Sequence, residues 1–195
     1  MFVVVFESTA PAEVSTIAET YYAKLEPILK TYSGFIQELS FSSPEDPNSG
    51  VTIARFENEE AAVRWRNDPT HLRIQKASRE KVYSHYRIRA GNVIVPSKAQ
   101  SPEAKIPERI LVLLEQPKTI VTPLKAVDLG ADIGHGVTEF VTYASDDVFV
   151  HIVGLKSREA ASLLADSESI ASCSSTSIIE VVREYSKTDR KEVAP

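Results

Sequence analysis

The sequence predicts an α+β protein of two tandem β-α-β-β-α-β units, and three observations carry that expectation. A β-branched and aromatic run opens the chain at FVVVFES (2–8). Strand and helix periodicities then succeed one another through Arg89 in the order β-α-β-β-α-β. The motif Glu60-Ala61-Ala62 returns as Glu159-Ala160-Ala161 at a spacing of 99 residues.

Each element has a local cause. Pro11 and Glu13 open a helix whose face is Val14, Ile17, Ala18, Tyr21, Leu25, Ile28 and Leu29, with Pro27 expected to kink or interrupt it. Gly34 suits the helix end, and FIQELSF (35–41) and VTIARFE (51–57) flank SPEDPNSG, a hairpin turn. Asn58 caps a helix over 59–66, with Glu59 and Glu60 at its positive end. Pro69 is expected to break it, a short helical face follows at Leu72, Ile74 and Ala77, and VYSHYRI (82–88) is the fourth strand. This order is the ferredoxin-like arrangement, four antiparallel strands with two helices on one face.

Composition sets limits. The chain is 43% hydrophobic and 25% charged, ordinary for a soluble globular protein of 195 residues. No run nears the roughly 18 apolar residues of a membrane span. MFVVVFES lacks the basic flank and long apolar core of a signal peptide, and a lone Cys173 excludes an internal disulfide, so a cytoplasmic location is expected. Residues 1–100 hold 12 Lys+Arg against 12 Asp+Glu, and the net charge of −5 sits in the second half, so neither nucleic acid nor membrane is the expected partner.

TYSGF, followed by a strand and then FENEEAAVRWRNDPTHLRIQKASREKVYSHYRIR, resembles the antibiotic biosynthesis monooxygenase (ABM) domain over about residues 1–92. Its most specific part is the W-x-x-x-P-x-H segment with Gln75, Arg79 and the aromatic strand. The resemblance implies a dimeric α+β barrel fold, and a cofactor-independent oxygenation of a phenol or anthrone by dioxygen. The catalytic pattern carries over incompletely. Quinone-forming members place Asn one turn before the helix Trp, where Ala61 stands here; their strand Arg corresponds to Arg87. The haem-degrading branch needs Asn and His where Glu7 or Ser8 and Gln75 stand, so haem degradation is not expected.

The second half is a worn copy. ILVLLEQ (110–116) parallels the first strand, GVTEFVTY (136–143) the second, and residues 149–166 the third strand and its helix. At the spacing of 99, Leu164 replaces Trp65, Ile170 replaces His71, and Tyr185 stands opposite Tyr86. The expected organisation is a first domain at 1–92, a linker at 93–108, a degenerate second domain at 109–187 and a disordered tail at 188–195. The two units are expected to pack as an internal pseudo-dimer, an α+β barrel, with a homodimer open beside it.

The site therefore falls in the first unit. Trp65 can stack on an aromatic substrate, or simply fill the core. His71 can act as a base near neutral pH, or simply cap its helix. Both are the catalytic candidates, and Tyr22, Phe35, Tyr86 and Arg87 are the substrate-binding ones. Alternation puts Tyr86 with Val82 and Ile88 on one face of the fourth strand, and Arg87 with His85 on the other. Arg55 is expected to pair with Glu7. His135 and His151 stand without clustered ligands, so no metal is expected, and no phosphate cradle or dinucleotide motif calls for an organic cofactor. The alternative to an enzyme is a non-catalytic small-molecule-binding or stress-response protein of the same fold.

Overall fold

A computed structural model describes residues 1–94, 109–120, 122–129, 133 and 136–193. Chain contacts divide it into two units. One holds Met1–Asn92 together with the segment that starts at Arg183; the other runs from Val93 to Val182.

In the first unit β1 (Phe2–Thr9) lies between β3 (Ser49–Phe56) and β4 (His85–Ile94), and β2 (Phe35–Ser42) flanks β3. All pairings are antiparallel, which gives the order β4-β1-β3-β2 of the ferredoxin-like arrangement. Helices α1 (Ser15–Lys30), α2 (Glu59–Arg66) and α3 (Pro69–Lys81) fill the connections. Asn58 caps α2, its side chain accepting from the Ala61 N–H at 2.9 Å.

Two prolines behave differently from expectation. Pro27 lies inside α1 without ending it, because it falls in the last turn, where the helix stops at Lys30 anyway. Pro69 begins α3 rather than merely breaking α2. Asp68 caps it, accepting from the N–H groups of Thr70 and His71 at 2.8 and 3.0 Å, and a proline in the first turn loses no helical hydrogen bond. The connection from α2 to α3 is therefore short and rigid, and it aims His71 back at Trp65.

Gly34 carries the one positive φ among the described residues, +82°. A Cβ there would lie 2.6 Å from that of Ala61, which is fully buried in α2. Gly34→Ala is expected to destabilise the protein by roughly 1–3 kcal/mol, from the backbone penalty plus the clash. A thermal midpoint within a degree of wild type would contradict this account.

The second unit repeats the sheet as β8-β5-β7-β6, built from β5 (Ile110–Pro117), β6 (Val137–Ala144), β7 (Val148–Leu155) and β8 (Ser175–Ser186). Helix α4 (Arg158–Ala165) repeats α2, down to a Ser157 cap that accepts from Ala160 N–H at 3.2 Å. Among the described residues, a 3-10 turn at Ala126–Leu129 lies between β5 and β6, and one at Glu168–Ile170 stands in place of α3.

That loss corrects the repeat register. The spacing of 99 holds from β3 to β7, since Phe56 and Leu155 occupy matching ends, opposite Phe2 and Ile110. It fails after α4: Ser8 pairs with Tyr86, whereas Glu115 pairs with Ser175, so the counterpart of Tyr86 lies near Ser174 and not at Tyr185. A thirteen-residue helix replaced by a three-residue turn accounts for the slip.

The second unit buries an apolar core of its own. Ile110, Val112, Leu114, Leu129, Val153, Leu155, Leu164 and Ile178 form one buried cluster, with Leu164 wholly inaccessible. Beside it His151, also inaccessible, sits in a satisfied polar network. Its Nε2–H donates to Gln116 Oε1 at 3.0 Å, leaving Nδ1 to accept from the Thr142 hydroxyl at 2.9 Å. Gln116 Oε1 also takes the Leu124 N–H at 3.1 Å, and its amide donates to Ser172 Oγ at 3.2 Å. His151 is thus a core residue, not a ligand. His135 lies outside the described residues, as do residues 95–108 of the expected linker; residues 93 and 94 complete β4.

The expected disordered tail is ordered as far as it is described. Ser186 N–H donates to Asp189 O at 2.7 Å, closing a turn. Glu192 accepts from the Glu184 N–H at 2.7 Å, and Lys187 Nζ donates to Tyr83 O at 2.6 Å. Polar composition suggested solvation; two hydrogen bonds within the segment and one to Tyr83 hold it instead.

Candidate active site

The first unit encloses a cavity of about 260 Å³ between its helices and its sheet. Helices supply Tyr21, Tyr22, Leu25, Trp65, His71, Gln75 and Arg79, and strands supply Phe2, Val4, Phe6, Glu38, Ala54, Tyr86 and Ile88. Apolar walls with a few placed polar groups are the usual form of a small-molecule site.

Trp65 and His71 form its core. Their rings stack at 4.2 Å with 24° between planes. Tyr32 meets the indole edge-on at 5.2 Å, and its hydroxyl donates to Arg64 O at 3.0 Å. His71 Nδ1 lies 3.0 Å from the Trp65 carbonyl oxygen. A carbonyl only accepts, so Nδ1 carries the proton and Nε2 keeps its lone pair. Burial lowers the pKa of the imidazole; the bond to Trp65 O and the nearby Asp68 partly offset this. The result is a neutral, oriented imidazole in the cavity wall. Gln75 spans the α2–α3 joint, donating to Arg66 O at 3.1 Å.

The remaining expected residues divide. Tyr86 lines the cavity, as alternation required, with Ile88 and Ala90 beside it. Its ring meets Phe6 at 5.9 Å, and Phe6 meets Tyr83 edge-on at 5.1 Å. Tyr22 also lines the cavity; its hydroxyl bonds the Glu38 carboxylate, and desolvation and then the charge of Glu38 push its pKa up to about 12.

Phe35 is not part of the wall: it packs edge-on against Phe56 at 5.9 Å, in the core beneath. Arg87 faces the other side of β4, where its Nε donates to Glu184 at 2.6 Å. Both were expected at the substrate; Phe35 is core and Arg87 an ion-pair member. On that same face Glu7 pairs with the buried Arg89 at 2.5 Å, and Arg55 donates to Gln37 Oε1 at 3.3 Å.

Two groups of wall residues went unforeseen. Glu38 lines the cavity with Oε1 buried and unpartnered, and burial raises its pKa. The C-terminal segment adds Arg183, Tyr185 and Arg190. Arg190 Nη1 donates to the Tyr86 hydroxyl at 2.8 Å and its guanidinium lies 5.8 Å over the Tyr185 ring. Arg183 pairs with Glu59 at the start of α2. Among the described residues no three His, Cys, Asp or Glu side chains are placed to share a metal ion, and no helix is long and apolar enough to cross a membrane.

Residues 1–77 match the family described as antibiotic biosynthesis monooxygenase. A jasmonate monooxygenase, ABM, of Pyricularia oryzae is 29% identical over 218 aligned residues, spanning 98% of this chain and 96% of its own. Among solved structures, a mutant of SnoaB, a cofactor-independent oxygenase of Streptomyces nogalater, is 19% identical over 52% of this chain and 97% of its own, with a TM-score of 0.42. A protein of Pseudomonas aeruginosa is 16% identical over 48% of this chain and 94% of its own, with a TM-score of 0.43.

Proposed function

We propose, from the match of residues 1–77 to the antibiotic biosynthesis monooxygenase family, that the chain is a cofactor-independent monooxygenase whose first-unit cavity holds a small, mainly apolar aromatic or quinol-like molecule. The observation that carries the reading is the stacked Trp65–His71 pair, whose neutral imidazole has a fixed tautomer in an apolar wall.

The chemistry needs few groups. A bound anthrone-type substrate gives a proton to His71 Nε2. The resulting anion passes one electron to dioxygen, the two radicals join in a C–O bond, and protonation of the peroxide with loss of water leaves a quinone carbonyl. One oxygen atom enters the product and the other leaves as water, so no external reductant is consumed. The protein's part is to orient the ring against Trp65, hold the proton, and stabilise the anion. In this reading Tyr22 and Tyr86, both in the cavity wall, orient the substrate oxygens.

Oxygen consumption by the purified chain, treated with a chelator and given no flavin or nicotinamide, is the test. Anthrones, naphthols and, because of the relative from Pyricularia oryzae, jasmonic acid make up the panel. At least one is expected to consume oxygen and yield an oxygenated product. Trp65→Leu, which copies Leu164 of the second unit, is expected to fold with a lowered thermal midpoint and to lose substrate binding. Binding without oxygen consumption across the panel would replace this reading with that of a non-catalytic binding protein.

A further inference from the structure

The first unit's cavity holds more positive charge than its own carboxylates balance. Four arginines line it: Arg66, Arg79, Arg183 and Arg190. Among the described residues only Arg183 of these has a carboxylate partner, Glu59. Arg66 donates to the neutral amide of Asn67 at 3.0 Å, and Arg190 to the neutral Tyr86 hydroxyl at 2.8 Å. Arg79, in the last turn of α3, makes no hydrogen bond or ion pair among the described residues. The one carboxyl in the wall, Glu38, bonds the Tyr22 hydroxyl, and a single carboxylate does not balance the arginines.

A guanidinium cannot shed its charge, and placing it against apolar surface without a counter-ion is unfavourable. A planar carboxylate removes that cost and accepts paired N–H donors. We propose that the preferred ligand is an apolar molecule ending in a carboxylate, gripped by Arg79 and Arg190, which makes the C-terminal segment from Arg183 a specificity element of the first unit's site. The proposal rests on the reading of this cavity as a small-molecule site. The rest of the ligand occupies the apolar part of the wall near Trp65, so the acid anchors one end while the reacting carbon is presented elsewhere.

The test is calorimetric titration of the full chain with two acid–ester pairs: jasmonic acid with methyl jasmonate, and 1-naphthaleneacetic acid with its methyl ester. Esterification removes the negative charge while keeping the apolar body. The acids are expected to bind about 10- to 100-fold more tightly, as charge-assisted hydrogen bonds imply, and added salt should weaken the acids alone. Arg79→Gln and Arg190→Gln should each bring acid binding down toward the ester's level, with a far smaller loss for the ester. A merely structural arginine would weaken both members of a pair alike.

Equal binding of acid and ester by the wild-type chain overturns the proposal and leaves the small-molecule cavity standing. Parallel loss of both ligands in each variant overturns it as well. Binding of none of the four compounds overturns the proposal and the cavity reading together.

Discussion

Replacing His71 with alanine is expected to cut the rate of oxygen consumption by roughly 10²–10⁴-fold, the range for losing a positioned general base. Trp65 O holds the Nδ1 proton at 3.0 Å, so the ring presents Nε2 in one tautomer, and burial keeps it neutral. Burial lowers the pKa below the usual 6.5, so the rate of the wild-type chain should be level near neutrality and fall only at more acid pH. The variant should lose that acid limb along with its rate. His71→Asn, which can still donate to Trp65 O, separates orientation of the indole from proton transfer: it should retain binding and not turnover. A pH–rate profile unchanged in shape after His71→Ala would remove this residue from the chemistry, whatever happened to stability.

The largest expected effect on stability lies in the second unit. His151 is inaccessible, and desolvation lowers its pKa from 6.5 to about 4. Above the unfolded value both states are neutral, and His151 adds no pH dependence. As the pH falls from 6.5 toward 4 the unfolded chain takes up a proton that the folded chain refuses, so folding loses stability. The loss saturates below the folded value at about 3 kcal/mol, by the conversion of pKa shift to free energy. His71, shifted the same way, adds a share of the same sign. His151→Gln keeps a donor toward Gln116 Oε1 but cannot titrate. Urea unfolding at several pH values should therefore give a shallower decline between pH 6.5 and 4 than wild type. Parallel declines would mean that His151 takes its proton without unfolding, and that the network with Gln116 and Thr142 yields easily.

What could be read in advance follows from how local its causes are. The helix at 59–66 was legible because cap, charge and apolar face all lie within nine residues. Tyr86 was placed correctly because alternation along one strand needs no knowledge of its neighbours. Glu38 was hidden by an irregularity: the β2–β3 register shifts between Phe35 and Gln37, so Phe35 opposite Phe56 and Glu38 opposite Ala54 share a face although three residues separate them. Strict alternation would send Glu38 to the far side. Phe35 stayed on the cavity's side of the sheet and was taken up by the core. Arg87 was drawn toward the substrate by its match to the family's strand arginine, against its own parity. Arg190 could not be found at all, since nothing local ties it to Tyr86, 104 residues earlier.

The late arrival of that segment matters on the ribosome. The sheet, Trp65 and His71 are all synthesised by residue 92, yet the wall formed by Arg183, Tyr185 and Arg190 waits for residues 93–182 to be made first. At 5–20 residues per second those 90 residues take roughly 5 to 18 seconds. During that interval a nascent chain holds an aromatic hollow with one side missing, exposed to whatever hydrophobic segments emerge after it. A message cut short before Arg183 would leave it in that state for good, a sticky half-site for quality control to clear.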